Sequence, residues 1–172
     1  NDAGGNNAGA GYVIFGRDFT NQVEFLGTTG DDTLTGDGNA NLLQGGDGDD
    51  SISGGAGNDT INLAAAGTSN PTILGGAGDD NIIGSPGVDL IFAGAGNDTV
   101  DAGAGADVVY GEAGNDNLTG GTENDAIFAG EGSDTITWTT GDGADTVEGE
   151  AGSDVLAFSD SGTISVDFSS LR

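Results

Sequence analysis

A nine-residue pattern, Gly-Gly-x-Gly-x-Asp-x-(aliphatic)-x, recurs thirteen times between Gly27 and Ala157. A strict short period means stacked identical units rather than a globule with a single centre. The purest copies read Gly-Gly-Asp-Gly-Asp-Asp-Ser-Ile-Ser (45–53), Gly-Gly-Ala-Gly-Asn-Asp-Thr-Ile-Asn (54–62) and Gly-Gly-Ala-Gly-Asp-Asp-Asn-Ile-Ile (75–83). In the frame that starts at Gly27, position six holds Asp32, Asn41, Asp50, Asp59, Asp80, Asp89, Asp98, Asp107, Asp116, Asp125, Asp134, Asp145 and Asp154. Position eight is aliphatic in every copy, from Leu34 to Leu156, and position four is Gly except at Asn39 and Glu123.

Each preference has its own cause. Glycine tolerates positive φ, so a Gly-rich six-residue segment can turn tightly with its carbonyls aimed at one point. Positions seven to nine form a short strand, whose alternation sends the eighth side chain to one face and its neighbours to the other. One aliphatic per repeat therefore points inward, and two repeats make one coil of a flattened parallel solenoid. At ~4.8 Å between stacked strands, about seven coils would span roughly 35 Å.

Composition says what such a solenoid lacks. The chain has 36 glycines, a net charge of −27, no cysteine, no histidine and two cations, Arg17 and Arg172. A chain this charged and this poor in large apolar residues does not collapse unaided. Disulfides and His/Cys zinc sites are excluded, as is a basic footprint for nucleic acid or anionic lipid. No apolar run approaches transmembrane length, so no membrane insertion is expected. A halophile's solvated acidic surface would explain the charge but not its register, because random surface acids do not fall at one position of a nine-residue frame. The stacked carboxylates need a counter-ion. Carboxylates and backbone carbonyls are all-oxygen ligands in flexible loops, which suits Ca²⁺ better than Mg²⁺ or zinc.

Residues 27–157 resemble the RTX (repeats-in-toxin) β-roll of secreted bacterial proteases, lipases, toxins and surface proteins. The resemblance implies an all-β, right-handed parallel β-roll holding roughly six to ten Ca²⁺ ions. It also implies ions between loops one coil apart, with carbonyls of positions two and four from one loop, carbonyls of positions one and three from the next, and both position-six Asp side chains. Carried onto this chain, one ion would take Gly76, Gly78, Asp80, Ala93, Ala95 and Asp98, and the next Gly94, Gly96, Asp98, Gly111, Ala113 and Asp116. On the opposite edge, Ser85, Gly87 and Asp89 would pair with Ala102, Ala104 and Asp107, and Gly103, Gly105 and Asp107 with Gly120, Thr122 and Asp125.

Some copies depart from the pattern. Residues 36–41 lack both the fourth Gly and the Asp, so a weak or empty site is expected there. Glu123 in place of a turn glycine counts against the site between Asp125 and Asp145. Residues 63–74 are three longer than a repeat; Thr72-Ile73-Leu74 can still supply a strand beside a bulged loop without a metal. Asp59 then pairs with Asp80, and Asp50 loses its upper partner. Trp138 and Thr139 add a smaller bulge.

The outward positions seven and nine differ between the two faces. One reads Asn81/Ile83, Thr99/Asp101, Asn117/Thr119 and Thr135/Thr137, mostly polar. The other reads Leu90/Phe92, Val108/Tyr110 and Ala126/Phe128, which predicts an apolar aromatic column outside the roll. Either a terminal segment covers it, with Phe158, Phe168 and Leu171 as candidates, or it is a protein–protein contact such as self-association or another surface protein. Residues 1–26 are out of frame, and 6–16 are similar to the close of an FG-GAP propeller blade, implying a preceding blade or N-cap that enters the roll near Val23–Leu26. Residues 158–172 leave the repeat and alternate through Ile164, Val166 and Phe168, as a capping strand would.

The function expected is a calcium-binding extracellular structural module that folds after secretion, at a bacterial surface layer, filament or adhesin. The resemblance also allows the C-terminal secretion domain, exported by type I machinery, of an RTX enzyme or toxin. No HExxH, no Gly-x-Ser-x-Gly and no histidine occur, so no enzyme is expected in these residues. An ice-binding solenoid is disfavoured because position three offers only Thr29 and Thr122; carbohydrate adhesion would fall to Phe92, Tyr110 and Trp138.

Overall fold

The structure is a computed structural model that describes residues 12–13, 23–139 and 141–158. Its described residues are strands and turns without a helix, wound as a parallel solenoid between two sheets. The first sheet stacks Tyr12–Val13, Val23–Leu26, Asn41–Gln44, Thr60–Asn62, Asn81–Ile83, Thr99–Asp101, Asn117–Thr119, Thr135–Trp138 and Val155–Phe158 in chain order. The second stacks Thr33–Thr35, Ser51–Ala56, Thr72–Ala77, Leu90–Ala95, Val108–Ala113, Ala126–Phe128 and Thr146–Glu148, one strand per coil, so the roll makes about seven coils. Every pairing is parallel except Tyr12–Val13, which lies antiparallel on Val23–Leu26 and closes the first edge of that sheet.

Register follows the repeat. Val100 pairs with Ile82 below and Leu118 above, an 18-residue step on each side. The step lengthens to 21 at Ile52↔Ile73 and Ile61↔Ile82, and to 20 at Ile127↔Val147 and Ile136↔Leu156, where the extra residues are looped out. Position-eight side chains from both sheets, among them Leu43, Ile52, Ile61, Ile73, Ile82, Ile91 and Val109, are fully buried between the sheets.

The long segment 63–74 resolves into a three-residue insertion, 63–65, followed by a further copy of the repeat at 66–74. Thr72–Ala77 pairs in register on both sides, and the Pro71 carbonyl accepts from the Leu90 amide as position-six carbonyls do elsewhere. This copy has Pro71 where the others carry Asp, or Asn at Asn41.

Outside the second sheet, Phe92, Tyr110 and Phe128 stack with centroids 4.9 and 5.0 Å apart and planes within 12°. Phe158 does not cover them. It lies on the first sheet, edge-on to Trp138. Phe168 and Leu171, and residues 6–16 apart from Tyr12 and Val13, fall outside the described residues.

Candidate metal centres

The turns stack into two columns, one along each edge of the roll, and position six lines both. From Asp32 to Asp134 the Asp side chains there are buried, with Asp59, Asp89 and Asp107 each 1% exposed, whereas Asp145 is half-buried and Asp154 exposed. One carboxylate oxygen of each has a structural task. The Oδ1 atoms of Asp50, Asp98, Asp107, Asp116 and Asp134 accept from the amides of Asp32, Asp80, Asp89, Asp98 and Asp116 one coil below, at 2.8–2.9 Å. Asp125 and Asp145 do the same for Asp107 and Asp125, Asp154 for Asp134, and Asp80 for Asp59 across the insertion.

The second oxygen has no such partner. Oδ2 of Asp50, Asp59, Asp80, Asp98, Asp107, Asp116, Asp125 and Asp134 is buried without a hydrogen bond. A buried, unsatisfied carboxylate oxygen is costly, about 1–3 kcal/mol or more each. Desolvation accordingly pushes Asp50, Asp80, Asp98, Asp116 and Asp125 up to about 6 and raises Asp59. Asp107 is pushed up to about 8, by desolvation first and then by the charges of Asp89, Asp125 and Glu123.

Backbone carbonyls converge on the same places. At the boundary between loops 75–80 and 93–98, a Cβ on Gly94 would lie 2.1 Å from the Gly76 carbonyl oxygen, and one on Gly96 2.1 Å from that of Gly78. These two glycines hold φ of 119° and 140°, so only glycine lets the carbonyls beneath come so close. The Ala93 carbonyl oxygen of the loop above and Asp80 Oδ2 of the same loop both crowd Gly75, 2.3 and 2.7 Å from where its Cβ would be. The Ala95 carbonyl accepts from the Gly78 amide at 2.7 Å. Gly76, Gly78, Asp80, Ala93, Ala95 and Asp98 are thus brought together. The next boundary repeats this with Gly94, Gly96, Asp98, Gly111, Ala113 and Asp116: Gly96 donates to the Ala113 carbonyl at 2.8 Å. On the other edge the Gly103 carbonyl accepts from Thr122 at 3.0 Å, beside Asp107 and Asp125.

Among the described residues no three acidic side chains gather as a ready-made metal cluster. A cation here would be held by two carboxylates and a set of carbonyls. That all-oxygen set in a glycine turn fits Ca²⁺.

Ser85, Gly87, Asp89, Ala102, Ala104 and Asp107 are also adjacent, with a difference. Asp89 accepts from the Ser85 amide and from Ser85 Oγ, each at 2.6 Å, and no oxygen of it is orphaned. Thr28 serves Asp32 likewise, through its amide at 2.5 Å and Oγ1 at 2.9 Å. Among the described residues these are the two position-six Asp side chains with no amide donor below, since Asp32 is the first of its column there and Pro71 lies under Asp89. A hydroxyl at position two takes the missing donor's place, and Thr28 and Ser85 are the hydroxyl residues there. In loop 36–41 Asn41 Oδ1 accepts from the Asp37 amide at 2.8 Å, and hydrogen bonds from Asn39 and Asn41 hold the exposed Asp37 carboxyl below its usual range.

The family model described as RTX calcium-binding nonapeptide repeat (4 copies) matches residues 26–61, 67–100, 74–109, 101–136 and 139–158. No curated protein matches the chain.

Proposed function

This chain belongs to the RTX calcium-binding nonapeptide repeat family, and on that premise we propose that it is an extracellular structural module whose roll is completed by calcium. The eight buried, partnerless Oδ2 atoms carry this reading. Of those eight, Asp50 has Pro71 in the loop above it, which leaves seven with an Asp-bearing loop overhead and hence seven favoured sites. Five lie in the column of Asp59, Asp80, Asp98, Asp116 and Asp134, and two in that of Asp107 and Asp125.

At low cytosolic calcium the stacked carboxylates keep the chain open enough to pass a secretion channel. Outside, sites of roughly 0.1–1 mM affinity fill and the roll closes. The outer face of the second sheet, with the turns that lead into it, supports a role in assembly at a bacterial surface layer, filament or adhesin. Pro86, Val88, Leu90 and Phe92, then Ala104, Ala106, Val108 and Tyr110, place eight outward residues without a charge on two adjacent coils of a chain of net charge −27. Circular dichroism of the calcium-stripped chain, with calcium then returned to millimolar level, tests the reading. A coil spectrum that becomes β-rich with uptake of about seven ions is expected; a β-rich spectrum unchanged by chelation would refute it.

A further inference from the structure

We propose that Glu123 is itself a calcium-contacting residue, and that its side chain makes the boundary between loops 102–107 and 120–125 the tightest site of the roll. The inference rests on the calcium-closed roll just described.

Glu123 occupies position four, where the neighbouring loops carry glycine, and holds φ at 79°. A non-glycine residue in that region is strained by about 1 kcal/mol or more. The backbone gains nothing from it. The Glu123 carbonyl lies 1.7 Å from where a Cβ on Gly143 would be, the same close approach that Gly78 makes to Gly96, so glycine would serve the turn equally well.

The side chain is what differs. Glu123 Oε2 reaches down one coil and accepts from the Gly105 amide at 2.8 Å. In the other column that amide position donates to a position-three carbonyl, as Gly78 does to Ala95 at 2.7 Å and Gly96 to Ala113 at 2.8 Å. Here the equivalent Thr122 carbonyl has drawn back to 3.3 Å. A third carboxylate therefore reaches the loop that carries Asp107, and the Thr122 carbonyl is partly released from its amide.

Two buried groups mark the same place as a ligand site. Asp107 and Asp125 are 1% and 3% exposed, and each leaves Oδ2 without a partner. Asp107 Oδ1 is held from below by the Asp89 amide, which leaves the buried Oδ2 open to a ligand. The Tyr110–Phe128 stack clamps this same coil boundary on the second sheet, which limits how far the two loops can part as the roll closes on its ions. Calcium affinity in oxygen cages rises with ligand charge and with rigidity, and this boundary has both.

Calcium titration of the stripped full chain by calorimetry, beside Glu123→Gln, Glu123→Gly and Asp101→Asn, tests the assignment. One ion of the wild type is expected to bind about tenfold tighter than the rest. Glu123→Gln and Glu123→Gly should both lose that tight class without changing the total number of ions. Glu123→Gly relieves the left-handed strain, so its calcium-saturated melting temperature should hold or rise, which separates ligation from a structural role. Asp101→Asn removes an exposed charge from the first sheet and should leave the tight ion in place. Unchanged isotherms in both Glu123 variants, a loss confined to Glu123→Gly, or an equal loss in Asp101→Asn would each overturn the proposal. If no form takes up calcium, the reading of the roll falls and Glu123 with it.

Discussion

Asp98 accepts from the Asp80 amide at 2.8 Å through Oδ1 and buries Oδ2 without a partner, so one carboxylate faces two coil boundaries. Asp50 also holds the amide below it, at 2.9 Å, but beneath it lies the Thr28 loop and above it Pro71. Asp98→Ala should therefore cost two ions and Asp50→Ala none. With calcium 100-fold above Kd each lost site removes about 2.7 kcal/mol, so Asp98→Ala should destabilise the loaded roll by roughly 5 kcal/mol. Denaturant unfolding in saturating calcium measures both variants, and equal losses would contradict the shared-carboxylate arrangement.

Proton dependence should reverse between the empty and the loaded roll. Without calcium, burial raises Asp50, Asp80, Asp98, Asp116 and Asp125 to about 6 and Asp107 to about 8, against an ordinary value of about 3.9 in the unfolded chain. The folded form then binds protons more tightly. Its advantage is complete below about pH 3.9 and is lost as pH rises through 6 and, for Asp107, through 8. Calcium-stripped chain should gain β signal between pH 7.5 and 4.5. In calcium the same oxygens are contested by protons, so the folding midpoint should move to higher calcium below about pH 6. Circular dichroism at several pH values checks both signs; an empty chain equally unfolded at pH 4.5 and 7.5 would exclude the first.

The strands, the 18-residue register and the inward aliphatics were legible in the sequence because each depends on one residue type at one position. So was the pairing of Asp59 with Asp80 past the insertion, seen at 2.7 Å. The copy at 66–74 was hidden because Pro71 replaces the Asp that marks the frame, although backbone pairing needs only its carbonyl. A second ladder was also hidden: position-five Asp79 and Asn97 accept from the Asn97 and Asn115 amides above, at 2.8 and 3.0 Å. These straps run opposite to those of position six. Asn, Asp and Ser all occur at that position, so composition there looks like ordinary loop polarity. Glu123 read as a damaged glycine because a sequence shows the strain of a substitution but not where its side chain reaches.

Ser85 offers a test of the opposite kind to Glu123. Its amide and Oγ both bind Asp89, whose position below is blocked by Pro71. Desolvation still raises Asp89 to about 6, with the two Ser85 bonds pulling against it. Ser85→Gly removes the hydroxyl and leaves Asp89 in need of another partner. At pH 4.5, where the calcium-free roll gains structure, it should lose about 1–3 kcal/mol. Calcium binding at the Asp89–Asp107 boundary should strengthen, adding one ion to the stoichiometry. Calorimetry with Ser85→Gly decides; an unchanged ion count would show that the Ser85 hydroxyl is not what keeps this boundary empty.

The aromatic column has two separable roles. Tyr110 stacks on Phe92 at 4.9 Å and on Phe128 at 5.0 Å, so it contributes to two coil boundaries at once. Each such pair is worth about 0.5–1.5 kcal/mol beyond its burial, so Tyr110→Ser should destabilise the loaded roll by roughly 1–3 kcal/mol whether or not anything docks there. Val108 lies beside Tyr110 with its side chain half-buried on the outer face, and no ring depends on it. Val108→Asp should leave ion uptake unchanged and abolish association through this face. Sedimentation velocity in millimolar calcium reads the second effect and chemical unfolding the first. A monomeric wild type that is indistinguishable from Val108→Asp would confine the column to cementing coils.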